Sequence, residues 1–124
     1  MRYFEEAEMA ELLCAMIATF AKVCGLPYPV WDQQHHVDQV RFVESITDLS
    51  DKIELHNNRQ QNATEKEAFD VSGWYRDNWR IFPWAEPDYE NTTDLQQDFV
   101  VQVAEFTLIM AGHFGTQVSG TAYE

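Results

Sequence analysis

A chain of 124 residues with 21 acids against 8 Lys and Arg carries a formal charge of −13 and has room for one domain around one core. Its 45% hydrophobic and 14% aromatic content excludes a disordered chain, and its charge argues against direct binding of nucleic acid or of an anionic membrane. There is no charge-free apolar run of about 18 residues to span a bilayer, and the opening MRYFEEAE lacks the basic-then-apolar order of a signal peptide.

Residues 3–24 read as a first helix. Met9, Leu12, Leu13, Met16, Ile17, Phe20 and Val23 give it a wide apolar face. Glu5, Glu6, Glu8 and Glu11 crowd its positive N-terminal end, Lys22 sits at the negative C-terminal end, and Gly25 followed by Pro27 stops it. Cys14 and Cys24 would stand about 15 Å apart along that helix, too far for a disulfide. Free thiols point to a reducing, cytoplasmic compartment, in which the sequons at Asn62 and Asn91 stay unused.

Two prolines flank Tyr28, so Leu26–Trp31 is an extended connector. A second helix is expected over about 33–57, with Asp32 as its N-cap and His35 and His36 in its first turn. Neither histidine has a second ligand one turn on, so neither is a metal candidate. Val40, Val43, Ile46, Leu49 and Ile53 supply the buried stripe. Glu44, Asp48 and Asp51 fall within about 60° of one another and form a separate acidic stripe. Carboxylates that close repel one another unless a cation lies between them.

Asn57–Ala63 is a polar loop. Thr64 with Glu67 forms a capping box, so a third helix is predicted from about Glu65, ending at Pro83 and burying Ala68, Val71, Tyr75, Trp79 and Phe82. Glu67 and Asp70, at i and i+3, would share one of its faces. Trp74, Tyr75, Trp79, Phe82, Trp84 and Tyr89 gather near Arg76 and Arg80, either as a stacking pocket for a base or as a plug of core beneath a long loop. Thr93 with Gln96 is a second capping box and opens a fourth helix that runs to about His113.

That helix is apolar almost all round: Leu95, Phe99, Val103, Phe106 and Met110 line one face, with Val100, Ala104, Leu108 and Ala111 beside it. It is expected to be central to the fold or shared with a second subunit, and a homo-oligomer, a dimer first, follows from the apolar surplus. The expected architecture is an all-α, four-helix bundle-like domain over residues 1–114, with a short flexible tail at 115–124.

Carboxylates on two antiparallel helices could surround a Mg²⁺ ion, which takes oxygen ligands. In this respect the chain resembles the MazG-like all-α nucleoside-triphosphate pyrophosphohydrolases, over about residues 3–79. V-E-S-I-T-D-L-S-D (Val43–Asp51) is similar to the family's V-E-E-x-G-E-L-x-E stretch, and E-A-F-D-V (Glu67–Val71), followed by Trp74 and Tyr75, to its E-L-G-D-V segment. Phe20 and Gly25 match its first helix and glycine exit. Ser45 stands where the family has a ligand Glu, Asp48 replaces a Glu, and Gly73 interrupts the helix after the second motif.

The resemblance implies Mg²⁺ held by Glu44, Asp48, Glu67 and Asp70, with Asp51 in reach, and water attacking between the α and β phosphorus atoms of a nucleotide. Lys52, Arg59 or Arg76 would neutralise phosphate, and Trp74 or Trp79 would stack on the base. The alternative is a non-catalytic acidic module that binds a basic protein partner, as an inhibitor or a nucleic-acid mimic. The two readings separate on whether those carboxylates converge in space.

Overall fold

A computed structural model of the chain describes residues 4–120. Four helices dominate it: α1 (Glu6–Val23), α2 (His36–Gln60), α3 (Ser72–Asn78) and α4 (Asp94–Met110). Two-residue strands β1 (Phe69–Asp70) and β2 (Val118–Ser119) pair in parallel, and short 3-10 turns lie at Trp31–Gln33, Trp79–Ile81 and Tyr89–Asn91. The all-α domain expected from the periodicities is present.

Both apolar helices are closed by local capping at each end. Glu5 and Glu8 form a reciprocal capping box at the start of α1, as Thr93 and Gln96 do at the start of α4. Each closes in a left-handed glycine, Gly25 at φ 73° and Gly112 at φ 87°. The amide of the next residue reaches back to the helix in both, Leu26 to Ala21 and His113 to Leu108, at 2.8 Å each. That backbone bond satisfies carbonyls the helix end would otherwise orphan. α4 thus stops at Met110, a turn earlier than expected. Phe20 stacks on Phe99 at 4.0 Å, while Glu6 and Met9 share a cleft with Ala111 and His113, so α1 and α4 run antiparallel.

α2 starts three residues later than predicted. Asp32 lies in a 3-10 turn, and His35 is the N-cap without a side-chain cap bond. The Gln34 side-chain Nε2 donates to the Pro29 carbonyl at 2.8 Å and that of Gln39 to the Trp31 carbonyl at 2.9 Å, which ties the turn to the helix. The buried stripe of α2 is Phe42, Ser45, Ile46, Leu49 and Ile53; Val40 is exposed and Val43 half-buried.

The largest departure is the third helix. Residues 64–71 are not helical, and Thr64 and Glu67 form no capping box. Instead the Phe69 and Val71 amides donate to the carbonyls of Gln117 and Ser119, at 2.7 and 3.0 Å. The Glu67 amide goes to the Gln60 side chain at 3.0 Å, and Lys66 caps the carbonyls of Gln60 and Gln61 at the end of α2. With their N–H groups used in this way, residues 64–71 cannot start a helix. α3 begins where the Asp70 carboxylate accepts the Ser72 amide at 3.0 Å, and it lasts seven residues. The tail expected at 115–124 contains β2, and its last four residues lie outside the described ones.

Gly120 packs where no side chain fits. A Cβ there would lie 2.4 Å from the Tyr89 hydroxyl and 2.9 Å from Val101 Cγ2. Gly120→Ala should therefore destabilise by about 1–3 kcal/mol, the usual cost of overpacking. Thermal melts of Gly120→Ala with and without Tyr89→Phe would show partial rescue; an unchanged midpoint in the single variant would refute the contact.

Candidate functional site

α2 and α3 do bring carboxylates together, but a different pair from the one expected. Trp74 is fully buried, and its indole N–H donates to the Ser45 carbonyl at 2.9 Å. Residues three and four positions after Trp74 share its face of α3, which sets Asp77 and Asn78 against α2. Lys52 Nζ lies 2.9 Å from Asp48 Oδ1 and 2.8 Å from Asp77 Oδ2, and Asn78 donates to Asp48 at 2.7 Å. An ammonium group therefore sits between the carboxylates of the two helices, where a divalent ion was expected.

The electrostatics agree with that geometry. Burial alone lowers the Lys52 pKa, but its hydrogen bonds to Asp77 and Asp48 prevail and raise it above the ordinary lysine value. Asp77 is held below the usual carboxylate range, first by the Lys52 hydrogen bond and further by the charges of Lys52 and Arg76. The site is an open one, with the Asp48 and Asp77 side chains 34% and 52% exposed.

The remaining predicted metal ligands do not join it. Glu44 and Asp51 are exposed on α2, and Asp51 lines a cleft with Glu6, Glu54 and His113 against the ends of α1 and α4. Glu67 lies on the loop beside the end of α2, its carbonyl 3.0 Å from His56 Nε2. Asp70 is engaged with the Ser72 amide. Among the described residues, no three His, Cys, Asp or Glu side chains gather so as to hold a metal ion. Ser45, at the family's ligand position, is buried, with its hydroxyl donating to the Arg41 carbonyl at 2.9 Å. The residues present do not fit the expected Mg²⁺ site. Of the three phosphate candidates, Lys52 and Arg76 both act on Asp77, whereas Arg59 lies two turns further along α2 and is exposed.

The aromatic cluster is core. Trp74, Tyr75, Phe82 and Tyr89 are buried, and Phe82 stacks on Trp84 with centroids 5.1 Å apart. Trp74 has no free face for a base, and the half-buried Trp79 is covered by the Arg80 guanidinium 4.7 Å from its ring centroid. Trp84 Nε1 donates to the Tyr75 hydroxyl at 2.8 Å, and that hydroxyl donates to the Glu86 carbonyl. Burial, above all, pushes the Tyr75 pKa up to about 12, so it remains a donor.

The apolar surplus of α4 is mostly absorbed within the chain. Val100 and Leu108 are buried, whereas Leu95, Phe106 and Ile109 are exposed. Leu12, Met16, Phe20 and Val23 of α1 and Phe99 and Phe106 of α4 line an open groove of about 610 Å³ between the two helices. Expected core residues at both ends of it stay wet: Val23 is 82% exposed and Phe106 46%. No helix among the described residues is long and apolar enough to cross a membrane.

The signs of the Lys52 and Asp77 shifts fix a pH window. A depressed Asp77 stabilises the fold above about pH 4 and loses that contribution as pH falls through its lower folded pKa. A raised Lys52 contributes below about pH 10.4 and loses it as pH rises through its higher folded value. Lys52→Met should cost about 1 kcal/mol at pH 7, no more, because the bridge is solvent-screened. The difference from wild type should shrink below about pH 4 in denaturant titrations. A difference constant with pH would instead assign Lys52 a packing role through its alkyl stem.

No protein-family model matches the chain, and comparison with curated proteins and with solved structures likewise returned no match.

Proposed function

We propose that this chain is a non-catalytic, acidic helical interaction module that binds a basic protein partner in the cytoplasm. The observation that carries this reading is how the two signs of charge are used. Most of the described bases are engaged within the chain: Arg41 on Asp38, Lys52 on Asp48 and Asp77, Lys66 on the last carbonyls of α2, and Arg80 over Trp79. Acids on α1, α2 and α4 face water instead, among them Glu11, Glu44, Asp51, Asp98 and Glu105. A chain of formal charge −13 arranged in this way carries a negative field that draws in cationic partners and repels nucleic acid.

The pyrophosphohydrolase reading requires a cavity of converging carboxylates with a divalent ion at its centre. The carboxylates of α2 and α3 that meet do so around Lys52, so that reading would need Lys52 to leave and Glu67 and Asp70 to move onto a helix.

Two measurements test the proposal. Mn²⁺ or Mg²⁺ should raise the melting temperature no more than NaCl of equal ionic strength, because a ligand that does not bind the native state cannot stabilise it. A lysine-rich peptide should bind with an affinity that falls as salt rises, and a glutamate-rich one should not bind. Metal-specific stabilisation together with pyrophosphate release from a nucleoside triphosphate would overturn the module in favour of the enzyme.

A further inference from the structure

We propose that the groove between α1 and α4 is the seat of the partner, and that the segment it takes is an amphipathic helix with apolar residues on one face and Lys or Arg along both edges. This deepens the reading above and rests on it. The groove floor is apolar, and it lies between two antiparallel helices, a trough into which a third helix packs ridge into groove. From Leu12 to Val23 it follows α1 for about 16 Å, or three turns, which suits a helical segment of about a dozen residues.

The banks specify the charge of the occupant. Beyond Ala15 and Thr19, which the groove shares with the neighbouring cleft, stand the exposed carboxylates Glu11 and Asp32. Beyond Gln102, shared with the cleft on the other side, stand Asp98 and Glu105, also exposed. Among the described residues, Lys22 is the one cation lining these three clefts. Acidic banks over an apolar floor complement a helix whose apolar stripe is flanked by cations.

A second copy of this chain fits less well. It would bring the same carboxylates onto these banks, and like charges brought face to face oppose association. Helix-in-groove binding would cover Leu12, Val23 and Phe106, which line one continuous groove, whereas exposed apolar side chains such as Val37, Leu55 and Leu95 lie outside it.

The test uses the full chain and three synthetic helical peptides of equal length. One has leucines at i, i+3, i+4 and i+7 with lysines on the flanks, one has the same residues scrambled, and one has glutamates in place of the lysines. The Leu/Lys peptide should bind the tightest by fluorescence anisotropy. The Leu12→Gln/Phe106→Gln variant should weaken it by about tenfold or more. Asp98→Asn/Glu105→Gln should slow association and flatten its salt dependence. All four substituted side chains are surface-exposed, and an unchanged circular-dichroism melt would show that the fold is kept.

Equal binding of the Leu/Lys and scrambled peptides, unaffected by the groove variant, would overturn the seat while leaving a basic partner in place. Binding of neither cationic peptide would overturn both the seat and the module. A dimer in sedimentation equilibrium that Leu12→Gln/Phe106→Gln converts to monomer would give the groove to a second copy and overturn the assignment of a basic helix.

Discussion

The indole N–H of Trp74 must find an acceptor inside a fully buried site, and it takes the carbonyl of Ser45 in the middle of α2. Leaving it unmade would cost about 1–3 kcal/mol, and much of the structure follows from its being made. α3 is fixed across α2 at that point, and the side chain at 45 is held inside the core. A glutamate there would be a buried, unpaired charge, so position 45 is closed to the chemistry that the acidic motif suggests. Asp77 and Asn78 are then carried onto Asp48 and Lys52, which closes the cluster between the two helices. One buried donor thus ties the aromatic core to the arrangement of surface charge.

That core is assembled from segments far apart in the chain. Phe20 of α1 stacks on Phe99 of α4, and Trp84 and Phe82 pack against that pair from the loop between α3 and α4. The Tyr28 hydroxyl donates to the Ile81 carbonyl and so ties the first connector to the same loop. Stacked and edge-on rings hold the loop in place without regular secondary structure, since each contact has a preferred geometry as well as buried area. The apolar and aromatic residues of 74–89 therefore work as the inner wall against which three helices close.

The limits of the sequence reading follow from the same physics. Signals complete within a few residues were legible: the Thr93–Gln96 box, the Gly25 exit and the centre of each apolar stripe, Met9, Leu13 and Ile17 in α1 and Ile46, Leu49 and Ile53 in α2, whereas Leu12, Val23 and Val40 stay exposed and Phe42 was missed. Thr64 and Glu67 carry an equally good local signal, yet β2, about fifty residues later, takes the amides of Phe69 and Val71. A two-residue parallel pairing at that separation has no periodicity to read. In the site, spacing put Glu44, Asp48 and Asp51 on a stripe separate from the buried one but said nothing of what lay opposite, where Asp48 meets α3. Asp77, the carboxylate that meets Asp48, belongs to no motif; its one clue was its place one turn after a tryptophan. For α4, composition could not decide between burial and an interface, because its apolar residues outnumber those that one antiparallel neighbour and the core can cover.

The distribution of charge and the exposed groove have one physical account. Concentrating the carboxylates would raise their mutual repulsion and require a counter-ion in the folded chain. Spreading them, and pairing lysine and arginine with carboxylates and helix-end carbonyls, lowers that repulsion. Carboxylates stand on both banks of the trough between α1 and α4, and low-dielectric helical walls focus the field of such charges. Apolar surface alone binds without direction, and negative charge alone binds any polycation weakly and is screened by salt. In the proposed seat the two together would select a helix that presents both features at the right spacing, so specificity would reside in the register between an apolar stripe and its basic edges rather than in any single residue.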